Sequence, residues 1–321
     1  MPLITGGGTE FYMIHTIVES ALPVDEVLSI KKNRYEPENC SDKKRISIVT
    51  GIHGDELEGQ FVCYEVARRI KEKPQFLSGI VDIYPALNPF GISSVTRGIP
   101  AFDLDMNRIF PGREDGDMNE YMASEMIKEL EGSDLCIDIH ASNIYLTEVP
   151  QIRINEINKE TLLPYAMLSN IDFIWVHGAS TVLEATLAHS LNTRSTPTLV
   201  VEMGVGMRIT QEYGYQMADG IFNLMRHLGI WTGPVSDVKK PVISDNPSDV
   251  VFLNAPASGI FIKDILHGSH VTKGEHLGYI VDPLQGTMLY DVLAPADGWL
   301  FTIREYPVVD EGSLMARILR Q

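Results

Sequence analysis

Three short apolar runs in the first two thirds of the chain have the composition of strands buried on both faces. They are RISIVT at 45–50, DLCIDIH at 134–140 and PTLVVE at 197–202. Aliphatic runs without polar alternation are typical of parallel strands that helices cover on both sides. Apolar residues then recur at helical spacing after the first run, at Leu57, Phe61, Val62, Val66 and Ile70. Strands that alternate with helices predict an α/β fold with a mostly parallel sheet flanked by helices.

Weaker patterns suggest the remaining elements of this region. We expect further strands at 11–18 and 80–86, a polar connection over 25–42, a long loop over 91–116, and a helix over about 210–228. Asp117 and Glu120 have the spacing of a capping box and predict that another helix begins there. The loop over 91–116 is long and rich in arginine and aspartate, which is typical of a functional loop. The order of elements within 142–197 cannot be predicted.

The composition changes after residue 233, where a proline-rich, linker-like stretch runs to 250. An internal repeat follows, since APASG at 255–259 recurs as APADG at 294–298. Each copy precedes a glycine and, six residues later, an isoleucine; these are Gly274 with Ile280, and Gly312 with Ile318. The repeat predicts a small all-β domain that resembles a biotinyl/lipoyl barrel-sandwich. No lysine follows Lys273, so a cofactor-carrying role is not expected. The predicted domains are 1–235 and 251–321.

Composition and charge restrict the classes of partner. The formal net charge is −17 over 321 residues, which argues against nucleic acid or an anionic membrane as the main partner. The three cysteines, Cys40, Cys63 and Cys136, show no paired spacing and favour a reducing compartment. No secretory signal pattern or apolar run of membrane length is present in the sequence. We therefore expect a cytoplasmic protein.

Residues suited to metal chemistry follow all three buried runs. His53 and Glu56 lie on the turn after the first run, His140 ends the second and Glu202 ends the third. Ligands of α/β proteins bind beyond the carboxyl ends of the strands, and two histidines with one glutamate form a common catalytic zinc site. His53 and Glu56 alone would more simply be a loop histidine and a helix-starting acid. Three such strand ends together favour one zinc ion on His53, Glu56 and His140.

The remaining polar residues suit hydrolysis of an amide. Glu202 is not needed as a ligand and can serve as the base that deprotonates a zinc-bound water. Arg97 can stabilise an oxyanion, and Asn107 with Arg108 can clamp a substrate carboxylate, because a guanidinium offers a planar fork. An equally good explanation for the two arginines is pairing with Asp103 and Asp105 of their own loop.

Four motifs occur in an order that resembles a known family. They are GIHGDE, TR followed by DMNRIFPG, DIH and VEMG. Together they resemble the succinylglutamate desuccinylase/aspartoacylase family of the zinc carboxypeptidase superfamily, over roughly residues 40–230. The resemblance implies zinc on His53, Glu56 and His140. It also implies Glu202 as general base and acid, Arg97 at the oxyanion, and Asn107 with Arg108 on the substrate α-carboxylate.

The leading interpretation is a zinc-dependent amidohydrolase that removes the acyl group from an N-acyl amino acid or a similar small, anionic carboxylate. A metallocarboxypeptidase acting on a peptide C-terminus is the alternative among enzymes. A zinc- or ligand-binding protein without turnover is the alternative of another class, although an intact Glu202 argues against it. The C-terminal domain is expected to cover the active site or to contact another copy of the chain in a homo-oligomer.

Overall fold

The computed structural model of the protein describes residues 11–37, 43–178 and 184–320. Within these ranges the chain forms a mixed sheet of 13 strands, a second sheet of four strands, and six α-helices. Cys63 and Cys136 are buried and free, as their apolar neighbours predict, and Cys40 lies outside the described residues. The strands are β1 (Tyr12–Ala21), β2 (Val27–Tyr35), β3 (Arg45–Thr50), β4 (Ile80–Tyr84), β5 (Leu135–Ala141), β6 (Leu146–Asn155), β7 (Phe173–His177), β8 (Thr198–Gly204), β9 (Val242–Ser244), β10 (Val250–Asn254), β11 (Gly259–Lys263), β12 (His270–Val271), β13 (His276–Asp282), β14 (Thr287–Leu293), β15 (Gly298–Arg304), β16 (Val308–Val309) and β17 (Leu314–Leu319).

The helices flank the centre of the large sheet. They are α1 (Glu58–Glu72), α2 (Pro89–Ser94), α3 (Met118–Leu130), α4 (Lys159–Ala166), α5 (Leu187–Asn192) and α6 (Gln211–His227). One core cluster joins Ile48 of β3 to apolar residues of α1 and α6, and the other joins the adjacent Val49 to residues of α3 and α5. Because successive side chains of a strand face opposite sides, both must be apolar where both faces are covered. This explains the uninterrupted apolar runs in the sequence.

The centre of the sheet is parallel, in the order β4-β3-β5-β8, and antiparallel partners extend it on both sides. On one side β2 and β1 are added, and on the other β6 pairs with β8 in antiparallel fashion. The predicted α/β class is confirmed, and the sheet is parallel at its centre but mixed as a whole. His140 of β5 lies directly opposite Glu202 of β8, so two of the predicted site residues are neighbours through strand register alone.

Some local predictions hold and others do not. Asp117 caps α3, and both hydrogen bonds of the capping box with Glu120 are present. The polar connection expected over 25–42 is wrong for its centre, because β2 pairs there with β1 and β4. Its inward positions include Lys32, whose Nζ lies 3.3 Å from Asp82 Oδ2, and this buried cation disguises the apolar alternation. The linker-like stretch at 233–250 contains β9, which extends the sheet beyond β7.

The C-terminal region continues the large sheet as well as forming its own. Strands β15, β17 and β10 join it through antiparallel pairing of β15 with β6, where Thr302 lies opposite Glu148. The four-stranded antiparallel sheet has the order β14-β13-β11-β16, and a separate apolar cluster includes the repeat residues Ile280 and Ile318. A C-terminal antiparallel β domain is therefore present. Its barrel-sandwich details and the boundaries at 235 and 251 stay predictions.

The described helices are short or amphipathic. None of them, in the ranges given above, combines the length and the apolar character that crossing a bilayer requires.

Candidate active site

A turn between β3 and α1 carries the first two predicted ligands. Gly51 has φ +71°, a conformation that favours glycine, and it starts the turn after β3. Gly54 must also be glycine, because a Cβ there would lie 1.9 Å from the carbonyl carbon of Gly91. This close approach brings the loop after β4 against the turn. Both His53 and Glu56 of this turn are buried.

His53, Glu56 and His140 form one cluster. Each offers a ligand atom, and these atoms lie within 4.8 Å of one another. Glu56 Oε1 is 2.8 Å from His53 Nδ1, and Glu56 Oε2 is 3.0 Å from His140 Nδ1. The described structure therefore brings together the three residues that the sequence predicts as metal ligands.

The donor atoms of this cluster fit a metal ion of the zinc type. The Nδ1 atom of His53 is buried and makes no hydrogen bond, although a carboxylate oxygen is 2.8 Å away. Two imidazole nitrogens and one carboxylate are a donor set that zinc accepts in catalytic sites. The outer nitrogens also face carboxylates, since His53 Nε2 is 3.0 Å from Asp105 Oδ1 and His140 Nε2 is 3.1 Å from Asp138 Oδ2. Such partners orient the ligand histidines of zinc sites.

The charges of the cluster favour a cation. Burial alone would lower the pKa of His140, but Asp138 and Glu56 outweigh it and raise this pKa well above its ordinary value. Burial would raise the pKa of Glu56, yet the neighbouring imidazoles of His140 and His53 hold it well below the usual range. The carboxylates of Asp138 and Glu56 therefore stabilise positive charge at the imidazoles. A metal ion at the same place would release protons from the histidines.

The loop over 91–116 brings the predicted oxyanion residue beside the metal ligands. It starts with the short helix α2, which the prediction of a continuous loop missed. Arg97 Nη1 donates to Glu56 Oε1 at 2.9 Å, and its Nη2 donates to Asp105 Oδ2 at 3.3 Å. Arg97 therefore pairs with a loop aspartate, as the alternative interpretation expects, and also with a candidate metal ligand. Its role at an oxyanion stays a prediction.

The two predicted clamp residues lie on a 3₁₀ turn over Met106–Arg108. Asp105 caps this turn by accepting from the Asn107 backbone NH at 2.9 Å. Asn107 Oδ1 accepts from the backbone NH of Leu187, also at 2.9 Å, so its side-chain amide nitrogen is the group left to donate to a substrate. Arg108 is exposed and donates to the carbonyl of Asn107 at 2.7 Å. Both residues line the same cavity as the three candidate metal ligands.

Glu202 faces this cavity from β8, outside the group of three ligands. Its Oε1 lies 3.3 Å from Arg153 Nη1 of β6. Burial raises the pKa of Glu202, and the neighbouring Arg153 and His140 oppose this rise. The structure therefore places a carboxylate of raised pKa next to the His–Glu–His cluster.

One cavity of about 470 Å³ joins the predicted residues to several that the sequence did not suggest. The period of two within β5 could have suggested Asp138, which shares a face with His140. Asp105 was named only as a partner for arginines. Arg153 lies in the stretch whose order could not be predicted, and nothing in the sequence connects Arg317 with this site. The unpredicted polar residues of the cavity wall include Asp138, Asn143, Glu148, Arg153, Asn155, His177, Asn192 and Arg317.

The parallel centre of the sheet thus presents a His–Glu–His cluster that could hold a metal ion, with a further glutamate on the neighbouring strand. The catalytic domain of the succinylglutamate desuccinylase/aspartoacylase family matches residues 42–228. The chain belongs to this family.

Individual relatives agree with the family and the fold. An N-α-acetyl-L-2,4-diaminobutyric acid deacetylase from Halomonas elongata is 26% identical over 284 residues, which cover 84% of this chain and 80% of the relative. The product-bound ectoine utilization protein EutE from Ruegeria pomeroyi has a TM-score of 0.81 at 19% identity, covering 97% of this chain and 95% of that one. A succinylglutamate desuccinylase/aspartoacylase from Rhodobacter sphaeroides has a TM-score of 0.80 at 21% identity, covering 97% and 96%. The two solved structures show that the fold is shared over nearly the whole chain.

Proposed function

We propose that the protein is a zinc-dependent amidohydrolase that removes the acyl group from an N-acyl amino acid or a similar small carboxylate. The observation that carries the proposal is the meeting of a His–Glu–His cluster with Glu202 across neighbouring strands. Zinc bound by the cluster would acidify a water molecule and polarise the amide carbonyl. Membership of the family and the 26% identical deacetylase support this class of reaction.

Glu202 has the position and the chemistry of the general base. Arg153 contacts its Oε1, which leaves Oε2 to take a proton from the attacking water and return it to the leaving amine.

The arginines of the loop would recognise an anionic substrate. Arg97 lies against Glu56 and can turn its guanidinium towards a carbonyl oxygen that gains negative charge. Asn107 and Arg108 offer an amide NH₂ group and a guanidinium on the same turn, which suits a carboxylate on the amino-acid part of the substrate. A cytoplasmic location, like assembly into a homo-oligomer, is proposed from the sequence alone.

The contribution of the C-terminal region to the cavity lining favours a small substrate over a peptide. Arg317 of the C-terminal region lines the cavity, so this region forms part of the wall. A metallocarboxypeptidase needs a cleft that is open along the bound peptide chain. A binding protein without turnover has no evident need for a carboxylate at the position of Glu202.

The proposal can be tested with the purified protein, a metal analysis and a panel of amides. Protein prepared without chelators should contain one zinc ion per chain, and His53→Ala should lose it. His270→Ala is the matched control, because this histidine is exposed on β12 and should leave the zinc content unchanged. The zinc-bound protein should release amino acid from N-acetyl, N-formyl or N-succinyl amino acids faster than from peptides with a free C-terminus.

Two results would contradict the proposal. Full zinc occupancy in His53→Ala would show that the metal binds elsewhere. Cleavage of peptides in preference to every N-acyl amino acid would favour the carboxypeptidase.

A further inference from the structure

A buried network of charged side chains is centred on Glu148 of β6, the strand that pairs with β8 and lies beside Glu202. Glu148 is fully buried, and Arg153 Nη2 donates to its two carboxylate oxygens at 3.0 and 2.9 Å. Thr302 Oγ1 donates to Glu148 Oε1 at 3.2 Å, and Arg317 Nη1 donates to the same oxygen. Hydrogen bonds between charged groups are stronger than those between neutral groups. Removing one partner of a buried pair lowers the stability of the protein, because the other charge is left buried alone.

The network connects the C-terminal region with the proposed catalytic base. Thr302 lies on β15 and Arg317 on β17, which the large sheet joins to β6. Arg153 contacts Glu148 through Nη2 and lies 3.3 Å from Glu202 Oε1 through Nη1. A continuous series of polar contacts therefore runs from β17 to Glu202.

Aromatic packing fixes the two guanidinium groups beside each other. The guanidinium carbon of Arg153 lies 5.9 Å from the ring centre of Trp175, and that of Arg317 lies 5.7 Å from the same ring. The Nε atoms of both arginines are buried and make no hydrogen bond. The hydrogen bonds of their terminal nitrogens to Glu148 therefore hold the two guanidinium groups in place.

We propose that Arg153 is a positioning residue for Glu202, and that Glu148, Arg317 and Thr302 hold Arg153 in place. The C-terminal region would in this way complete the active site without touching the substrate at the reacting bond. The inference rests on the proposed function, in which Glu202 is the base. A terminal carboxylate rotates easily about its last bond, and a cation on Oε1 selects the orientation in which Oε2 faces the water.

The first experiment measures turnover of an N-acyl amino acid by variants of the network. In Arg153→Met and Arg317→Met, kcat should fall roughly ten- to a hundredfold, because a small misplacement of a catalytic group has effects of this size. KM should stay within about twofold, since Asn107 and Arg108 are unchanged. Thr302→Val removes a single hydrogen bond to Glu148, and it serves as a milder variant if the others fold poorly. It should lower kcat by less.

A matched control separates positioning from stability. Arg34 makes an ion pair outside the cavity lining, with Nη2 2.7 Å from Asp82 Oδ2, and its side chain is 26% exposed against 27% for Arg153. Arg34→Met should lower the melting temperature but leave kcat per folded molecule unchanged. If it lowers kcat as much as Arg153→Met, the network is only structural and the inference is wrong.

A double-mutant cycle tests whether Arg153 acts through Glu202. Once Glu202→Gln has removed the base, Arg153→Met should reduce kcat by little more, because residues that act as a unit are not additive. Effects that multiply in the double variant would overturn the inference.

Crystal structures supply a readout that does not depend on activity. In Arg153→Met and Arg317→Met the carboxylate of Glu202 should move by about 1 Å or more from its wild-type position, a displacement large enough to matter for catalysis. If the wild-type protein hydrolyses no amide of the panel, the proposed function fails, yet a displaced Glu202 would still support the positioning role. An unmoved carboxylate in both variants would overturn the inference whatever the activity.

Discussion

His140 Nε2 lies 3.1 Å from Asp138 Oδ2, two residues away on the same face of β5. His53 repeats the arrangement, with its Nε2 3.0 Å from Asp105 Oδ1 of the neighbouring loop. In both cases the outer ring nitrogen faces a carboxylate and Nδ1 faces Glu56. The carboxylates thus orient the imidazoles and favour Nδ1 as the ligand atom.

Replacement of Asp138 by asparagine should weaken zinc binding without abolishing it. The amide keeps the shape but loses the negative charge that supports the His140 imidazole, and such partners are typically worth about 10–100-fold in metal affinity. Competition with a chelator of known zinc affinity measures the change. Asp134→Asn is the control, because Asp134 precedes the same strand and pairs with Lys44 at the surface. Equal affinities of Asp138→Asn and wild type would show that Asp138 does not support the metal.

Removal of the Arg108 side chain should weaken recognition of the substrate carboxylate. We expect Arg108→Ala to lower kcat/KM by an amount equal to about 2 kcal/mol of lost transition-state stabilisation. This is the lower end for a charge pair, because the side chain is exposed before substrate binds. Arg113→Ala is the control, since Arg113 lies in the same loop but pairs with Glu120. An amidated substrate that is hydrolysed as fast as the free carboxylate would argue against the clamp.

The C-terminal region should carry no lipoyl or biotinyl group. The turn between β13 and β14 follows Asp282 and ends before Thr287, and it contains proline, leucine, glutamine and glycine but no lysine. Protein isolated from its native host should therefore have the mass of the unmodified chain, apart from processing of the N-terminus. An adduct of lipoyl or biotinyl mass, mapped to this region, would contradict the prediction.

The parallel centre of the sheet and the meeting of the candidate metal ligands could be predicted because one physical pattern determines both. Strands buried on both faces show as apolar runs, and the carboxyl ends of parallel strands meet at one edge of the sheet. The sequence therefore predicts that His53, His140 and Glu202 lie together at this edge. The capping box of α3 was predictable because its two hydrogen bonds are local. Local patterns and strand ends are therefore readable from sequence.

The parts that could not be predicted depend on distant pairing. The sequence did not predict strand β2, because its inward Lys32 pairs with Asp82, a residue 50 positions away. The position of Arg153 depends on a bulged antiparallel pairing of β6 with β8. Arg317 reaches the site because β15 pairs with β6, and a repeat within the C-terminal region contains no information on that contact.

Replacement of Glu202 by glutamine should separate an enzyme from a binding protein. The amide keeps the size of the side chain and a partner for Arg153, but it cannot accept the proton of the attacking water. General acid–base assistance is typically worth ~10²–10⁴-fold, so we expect kcat to fall by at least that range. Zinc content should be unchanged, because the three candidate ligands are His53, Glu56 and His140.

The binding of a carboxylate-bearing inhibitor should also survive in Glu202→Gln, because the clamp residues are untouched. Calorimetric titration of the inhibitor and elemental analysis of the same sample check both points. Loss of zinc would show that Glu202 is itself a ligand and would call the place of Glu56 into question. Near-normal turnover with full zinc would mean that another residue of the cavity takes the proton from water.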